Sequence, residues 1–165
     1  MQESVDRAAP LVQAAGLVSV TRPEPGIVVL TLDRAPARNA LSMAMLEALY
    51  ASLTELGHDD TVSAIVLAAA GPVFCAGHDL KELTSHRTDA DGGRAFFAAT
   101  MRLCADVMQA IVRCPKPVIA AVHATATEAG CQLVASCDLA VAAETAKFCT
   151  PGVNIGLFCP APMGA

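Results

Sequence analysis

Ile119-Ala120-Ala121-Val122-His123-Ala124-Thr125-Ala126-Thr127-Glu128-Ala129-Gly130-Cys131-Gln132-Leu133 is the stretch that decides how this 165-residue chain folds. It reads as a buried apolar strand, a tight turn of small residues, and a helix starting near Ala129. Small side chains in such a turn let a ligand approach the backbone closely. The free N–H groups at the start of a helix offer donors to an anion or to a developing oxyanion. An earlier stretch, Val73-Phe74-Cys75-Ala76-Gly77-His78-Asp79-Leu80, repeats the order of strand, small-residue turn and helix start. Two such turns facing each other could aim two backbone N–H groups at one carbonyl oxygen.

Working outward, the chain alternates strands with helices. Leu17 to Thr21 and Ile27 to Leu32 are β-rich runs around Pro23-Glu24-Pro25-Gly26, a hairpin turn by composition. Ser42 suits a helix N-cap, and Met45, Leu46, Leu49, Leu53 and Leu56 follow at helical spacing up to Gly57. Val62 to Ala68 has strand length. Ser85 to Gly93 is polar and reads as a mobile surface loop. Arg94 to Cys114 is expected to form a long helix with Phe97, Met101, Cys104, Met108 and Ile111 on its core face. Cys114-Pro115-Lys116-Pro117 ends it and leads into the strand Val118 to Val122. A helix over Ala129 to Ser136 and a strand over Leu139 to Ala143 complete an α/β pattern with a largely parallel sheet.

Composition narrows the function classes. The chain is 54% hydrophobic with a net charge of −5 and no basic cluster, which argues against a nucleic-acid partner. The charge-free run Thr61 to Gly77 is broken by Gly71-Pro72, so no membrane span is expected there. Seven cysteines without a C-x-x-C pair read as reduced, mostly buried thiols, and the four histidines have no metal-ligand spacing. No metal and a cytoplasmic location are therefore expected. Residues 1–16 lack a basic start and an apolar core, and read as a loosely ordered leader rather than a secretory signal.

The motifs occur in an order that resembles the crotonase (enoyl-CoA hydratase/isomerase) superfamily. They are Arg38-Asn39-Ala40-Leu41-Ser42, Phe74-Cys75-Ala76-Gly77-His78-Asp79-Leu80, Lys116-Pro117-Val118-Ile119-Ala120-Ala121-Val122 and Gly130-Cys131-Gln132-Leu133. The resemblance implies the ClpP/crotonase-like ββα spiral fold for residues 17–165 and an acyl-CoA thioester as ligand. Coenzyme A would enter as part of the substrate, with no separate cofactor. It assigns the oxyanion donors to the backbone N–H groups of His78 and Ala129. It places Arg38, Ala40, Ala76, Gly77, Asp79, Leu80, Ala126 and Gly130 along the substrate. A homotrimer or hexamer is what the family implies.

Two departures from the family pattern bear on activity. Hydratases of the family hold a water between two glutamates; the matching positions here are Gln132 and Gly152. An amide cannot take a proton at neutral pH, and glycine has no side chain. Because acid–base groups contribute about 10²–10⁴-fold each, hydration is expected to be very weak. This pair is similar to the branch of enoyl-CoA hydratase domain-containing proteins. Glu128, where the family usually has a small residue, is either a substitute base or a solvated turn residue. The His78 imidazole is either a loop side chain or a participant. Asp79 and Glu144 suit helix capping and surface solvation. The chain also stops at Pro160-Ala161-Pro162-Met163-Gly164-Ala165, before the C-terminal helices that the resemblance implies, and a truncated or frame-shifted product is expected over a natural short form. Exposed apolar surface and doubtful oligomerisation follow from that expectation. The reading is an acyl-CoA-binding protein of the fatty-acid hydratase type. Thioester hydrolysis or decarboxylation, and a non-catalytic acyl-CoA-binding or interaction protein, are the alternatives.

Overall fold

The computed structural model describes residues 16–155. The expected leader, apart from Gly16, and the chain beyond Ile155 lie outside the described residues. The first pair of strands is β1 (Val18–Glu24) and β2 (Ile27–Leu32), antiparallel, with Val18 opposite Leu32 and Glu24 opposite Ile27. Sequence composition put the whole of 23–26 in the turn. Instead β1 runs through Pro23 to Glu24, past an irregularity after Thr21, and only Pro25-Gly26 turns. Proline followed by glycine at φ 81° suits a type II turn, in which the second central residue needs positive φ.

Helix α1 (Met43–His58) starts where Ser42 Oγ accepts the N–H of Met45 at 3.3 Å. Met45, Leu46, Leu49, Leu53 and Leu56, the stripe read from the sequence, are all buried. Each fully buried side chain of this size contributes roughly 1.5–3 kcal/mol of hydrophobic free energy. Strand β3 (Ala64–Ala69) and the short strand β4 (Val73–Cys75) follow, then α2 (Leu80–Ser85). The next long helix is α3 (Arg94–Val112), after which come β5 (Val118–Val122), β6 (Thr125–Thr127) and α4 (Ala129–Ala135). Strands β7 (Leu139–Ala142) and β8 (Phe148–Cys149) and a 3₁₀ turn over Pro151–Ile155 end the described chain.

Two sheets organise these elements. The larger has the order β1-β2-β3-β5-β7 and is parallel except for β1; the smaller has the order β4-β6-β8 and is parallel. Across the larger sheet, Val28 pairs with Ile65 and Ile65 with Val118; Leu30 pairs with Leu67 and Leu67 with Ala120. All six are fully buried, so one face of the sheet is core. The smaller sheet was hidden in the sequence. Its strands hold only two or three residues, too few for an alternating pattern, and β6 lies within the stretch read as a turn.

Two further expectations need correction. The buried face of α3 is Thr100, Cys104, Val107, Met108 and Ile111, whereas Met101 is 41% exposed and Phe97 only partly covered. Thr100 is admitted because its hydroxyl donates to the carbonyl of Phe96 at 2.9 Å, which removes the cost of burying it. α3 is long and apolar enough to cross a membrane by composition alone, but that face packs in the core against α1. The segment between α2 and α3 is also more ordered than its polarity suggested. His86 pairs with Asp89 at 2.7 Å and stacks on Phe96, and Asp91 accepts the N–H groups of Gly93 and Ala95.

Asn39 ties the first half of the larger sheet to the smaller one. It is completely buried at φ 51°; its Oδ1 accepts the N–H of Arg34 at 2.9 Å. Its Nδ2 donates to the carbonyls of Ala70 and Val73 at 2.8 and 2.9 Å. Asn39→Ala leaves three backbone groups unpaired in the interior and keeps the left-handed backbone without its side-chain support. Urea denaturation should show a loss of about 2–4 kcal/mol.

Candidate functional site

Parallel pairing of β4 with β6 brings the two small-residue turns together, with Val73 opposite Thr125 and Cys75 opposite Ala126. The turn after β4 carries Ala76, Gly77 and His78; the turn after β6 carries Glu128 and leads into α4 at Ala129. Two glycines set how closely they approach. A Cβ on Gly130 would sit 2.5 Å from the carbonyl oxygen of Cys75, so only glycine lets α4 lie against β4. A Cβ on Gly77, which has φ 80°, would come within 2.9 Å of Glu128 Cβ and 3.1 Å of the Thr127 carbonyl oxygen.

The Arg38–Ser42 stretch is laid alongside the first turn. The N–H of Ala76 donates to the Arg38 carbonyl, that of Leu41 to Gly77, and that of Asp79 to Leu41. These bonds leave the N–H of His78 unused, and among the described residues neither it nor the N–H of Ala129 has an acceptor. Ala129 is 3% exposed, and its N–H lies 3.4 Å from the point where a Gly77 Cβ would be. Two unpaired donors on touching turns can stabilise negative charge on one oxygen.

The other residues singled out in the sequence fall around this pair. Ala40, Ala126 and Gly130 are buried in the walls, Arg38 is exposed, and Leu80 is 71% exposed. Asp79 caps α2, with Oδ1 accepting the N–H groups of Lys81 and Glu82 and Oδ2 paired with Arg34 at 2.7 Å. Burial would push its carboxyl up, but Arg34 and the N–H groups of Glu82 and Lys81 outweigh that and hold it below the usual carboxylate range. Burial pushes the His78 imidazole below its ordinary value, only partly offset by the Leu41 backbone, so the ring is neutral at pH 7. Its Nδ1 and the Thr127 hydroxyl are buried without a partner among the described residues.

Gln132 is half-buried on α4, and its side-chain amide has no partner among the described residues. Gly152 is buried, and its N–H donates to Glu128 Oε1 at 2.5 Å. Glu128 itself adopts φ 53°, ψ −123°, a conformation that costs a non-glycine residue about 1–3 kcal/mol. Its backbone N–H donates to the carbonyl of Cys149 at 3.0 Å. Sequence reasoning missed Asn39, Arg34 and Thr127, because each matters through partners distant in the chain. No group of His, Cys, Asp or Glu suited to a metal ion occurs among the described residues.

The Enoyl-CoA hydratase/isomerase family matches residues 22–164, and the chain belongs to that family, the crotonases. It is 47% identical over 142 residues to mitochondrial enoyl-CoA hydratase domain-containing protein 3 of Mus musculus, covering 86% of this chain and 46% of that protein. A crystal structure of enoyl-CoA hydratase from Mycobacterium smegmatis superimposes with a TM-score of 0.79 at 53% identity, covering 88% of this chain and 55% of that one. The human domain-containing protein 3 structure also gives 0.79, at 45% identity and with the same coverage. The chain thus spans about half the length of these relatives. The crotonase-like α/β fold is the one read from the sequence.

The expected cytoplasmic location does not stand, because the mouse, rat and human relatives are mitochondrial proteins. The cysteine spacing from which that location was read is compatible with any reducing compartment and so does not give an address.

Because the folded-state pKa of Asp79 is depressed, its stabilising effect is present above the unfolded carboxylate value and is lost as pH falls through the folded one. Asp79→Asn should therefore cost about 1–2 kcal/mol at pH 7 in thermal or urea unfolding. The difference from the wild type should shrink steadily as the pH is lowered through the acid range.

Proposed function

We propose that this chain binds acyl-CoA thioesters with the carbonyl oxygen held between the N–H groups of His78 and Ala129. The observation that carries the reading is that pair of unpaired backbone donors on two turns in contact. A thioester gains most from such donors when its oxygen becomes negatively charged, as in enolate formation or attack at the β-carbon of an enoyl group. Donors fixed by the fold need no reorganisation at that moment, and losing one typically costs about 10²–10³ in rate. Family membership supports the ligand class. The run from Arg38 to Ser42, bonded along the first turn, supplies a wall for the coenzyme.

Hydration itself should be slow. It needs one group to take a proton from water and another to deliver one to carbon, and Gln132 and Gly152 stand at the two positions. Gln132 can orient a water by hydrogen bonding without ionising. The protein is accordingly read as a thioester-binding member of the family with weak hydratase activity, and its similarity to domain-containing protein 3 supports the family part of that reading.

Titration calorimetry with crotonyl-CoA, followed by product analysis of the same sample, tests this. Saturable binding with hydration far below that of Gln132→Glu/Gly152→Glu is the expected result. Ala129→Pro removes one donor at the first position of α4, where proline is best tolerated in a helix, and should lower turnover of the double variant about 10²-fold. Absence of binding by the wild type, or rapid hydration by it, would overturn the reading.

A further inference from the structure

We propose that the Glu128 carboxylate is the proton acceptor of this site, removing a proton from the α-carbon of the bound thioester. The inference rests on the thioester reading above and goes beyond it by assigning the acid–base step to a position outside the family's two glutamate positions. Glu128 immediately precedes Ala129, one of the two oxyanion donors, and its Cβ lies against Gly77, the residue before the other donor. The carboxylate therefore belongs to the same turn that would hold the carbonyl oxygen.

Its side chain reaches the very segment that lacks a carboxylate of its own. Oε1 accepts the N–H of Gly152 at 2.5 Å, so the acid group is anchored beside the position that has no side chain. Among the described residues Oε2 has no hydrogen-bond partner. The ion pairs found there, Arg22 with Asp59, Arg34 with Asp79 and His86 with Asp89, do not include Glu128. One oxygen is fixed and the other is free to accept a proton. The backbone of Glu128 sits at φ 53° in this turn, in the left-handed region.

The step balances within the site. The α C–H bond breaks and its proton passes to Glu128 Oε2; the electron pair forms the Cα=C bond, and the carbonyl π pair moves to the oxygen between the N–H groups of His78 and Ala129. Once the protonated carboxyl has exchanged with the deuterated solvent, delivery of a deuteron to the same carbon gives isotope exchange. Return to the γ-carbon of a β,γ-unsaturated acyl group gives the conjugated isomer. The substrate class is thus an acyl thioester with an activated α-hydrogen.

The test uses but-3-enoyl-CoA and the full chain in deuterated buffer, reading α-deuterium and double-bond position by NMR, with binding measured in parallel. Wild type should exchange and isomerise above the buffer rate. Glu128→Gln keeps an oxygen for the Gly152 N–H but cannot take a proton; it should lose about 10²-fold or more of the rate with a dissociation constant within about threefold. Its urea midpoint should stay near that of the wild type. Exchange unchanged in Glu128→Gln, or binding by wild type with no exchange above buffer, overturns the proposal alone. Loss of exchange together with collapse of the urea midpoint also overturns it, in favour of a latch that only holds the Pro151–Ile155 turn. Absence of binding by wild type overturns the thioester reading as well.

Discussion

Contact between the backbone of Gly130 and the carbonyl of Cys75 is the constraint on which the site depends. Where a Cβ would lie 2.5 Å from that oxygen, no other residue lets α4 settle against β4. The same closeness fixes the spacing of the two turns, because β4 and β6 are paired just before them. Gly77 imposes the matching limit from the other side. An oxyanion site made from backbone donors has no side chain to adjust its geometry, so its accuracy must come from such packing. Bracing comes from behind. Asn39 joins three backbone groups of separate segments, and Arg34 reaches both Asp79 and the carbonyl of Ala40.

The parts of this arrangement that are written in local patterns were legible in the sequence. The stripe of α1 follows one periodicity over about three turns, with a capping serine before it, and the helix forms as read. Strand β5 is a continuous apolar run ended by a histidine, and it too lies where expected. α3 was harder because two stripes compete at its N-terminal half. One contains Phe97 and Met101, the other Thr100, and tertiary packing favours the smaller residue once its hydroxyl bonds to the preceding turn. The three-stranded sheet was illegible for a different reason. Strands as short as Thr125–Thr127 are defined by their neighbours, and these lie some fifty residues before and twenty after.

The candidate site divides in the same way. Its turns could be recognised from small residues flanked by a strand and a helix, and from the order of motifs along the chain. The destination of the Glu128 side chain could not, since Gly152 is twenty-four residues away and contributes only a backbone N–H. Nor could the roles of Arg34 and Asn39, whose partners sit on segments far along the chain. Compartment was illegible altogether, because the feature read for it, thiols without a disulfide spacing, reflects redox conditions rather than address.

Burial also sets two of the cysteines chemically apart. Cys75, beneath the first turn, and Cys137, after α4, are pushed up to about 12 by burial. They therefore remain protonated at neutral pH, and alkylating reagents and mild oxidants, which attack the thiolate, pass them by. Cys149 is exposed, and its carbonyl receives the backbone N–H of Glu128. A spectroscopic label placed on that sulfur would sit beside the second turn without entering the core. The fold thus supplies a reporter position reached by ordinary thiol chemistry, while Cys75 and Cys137 stay silent.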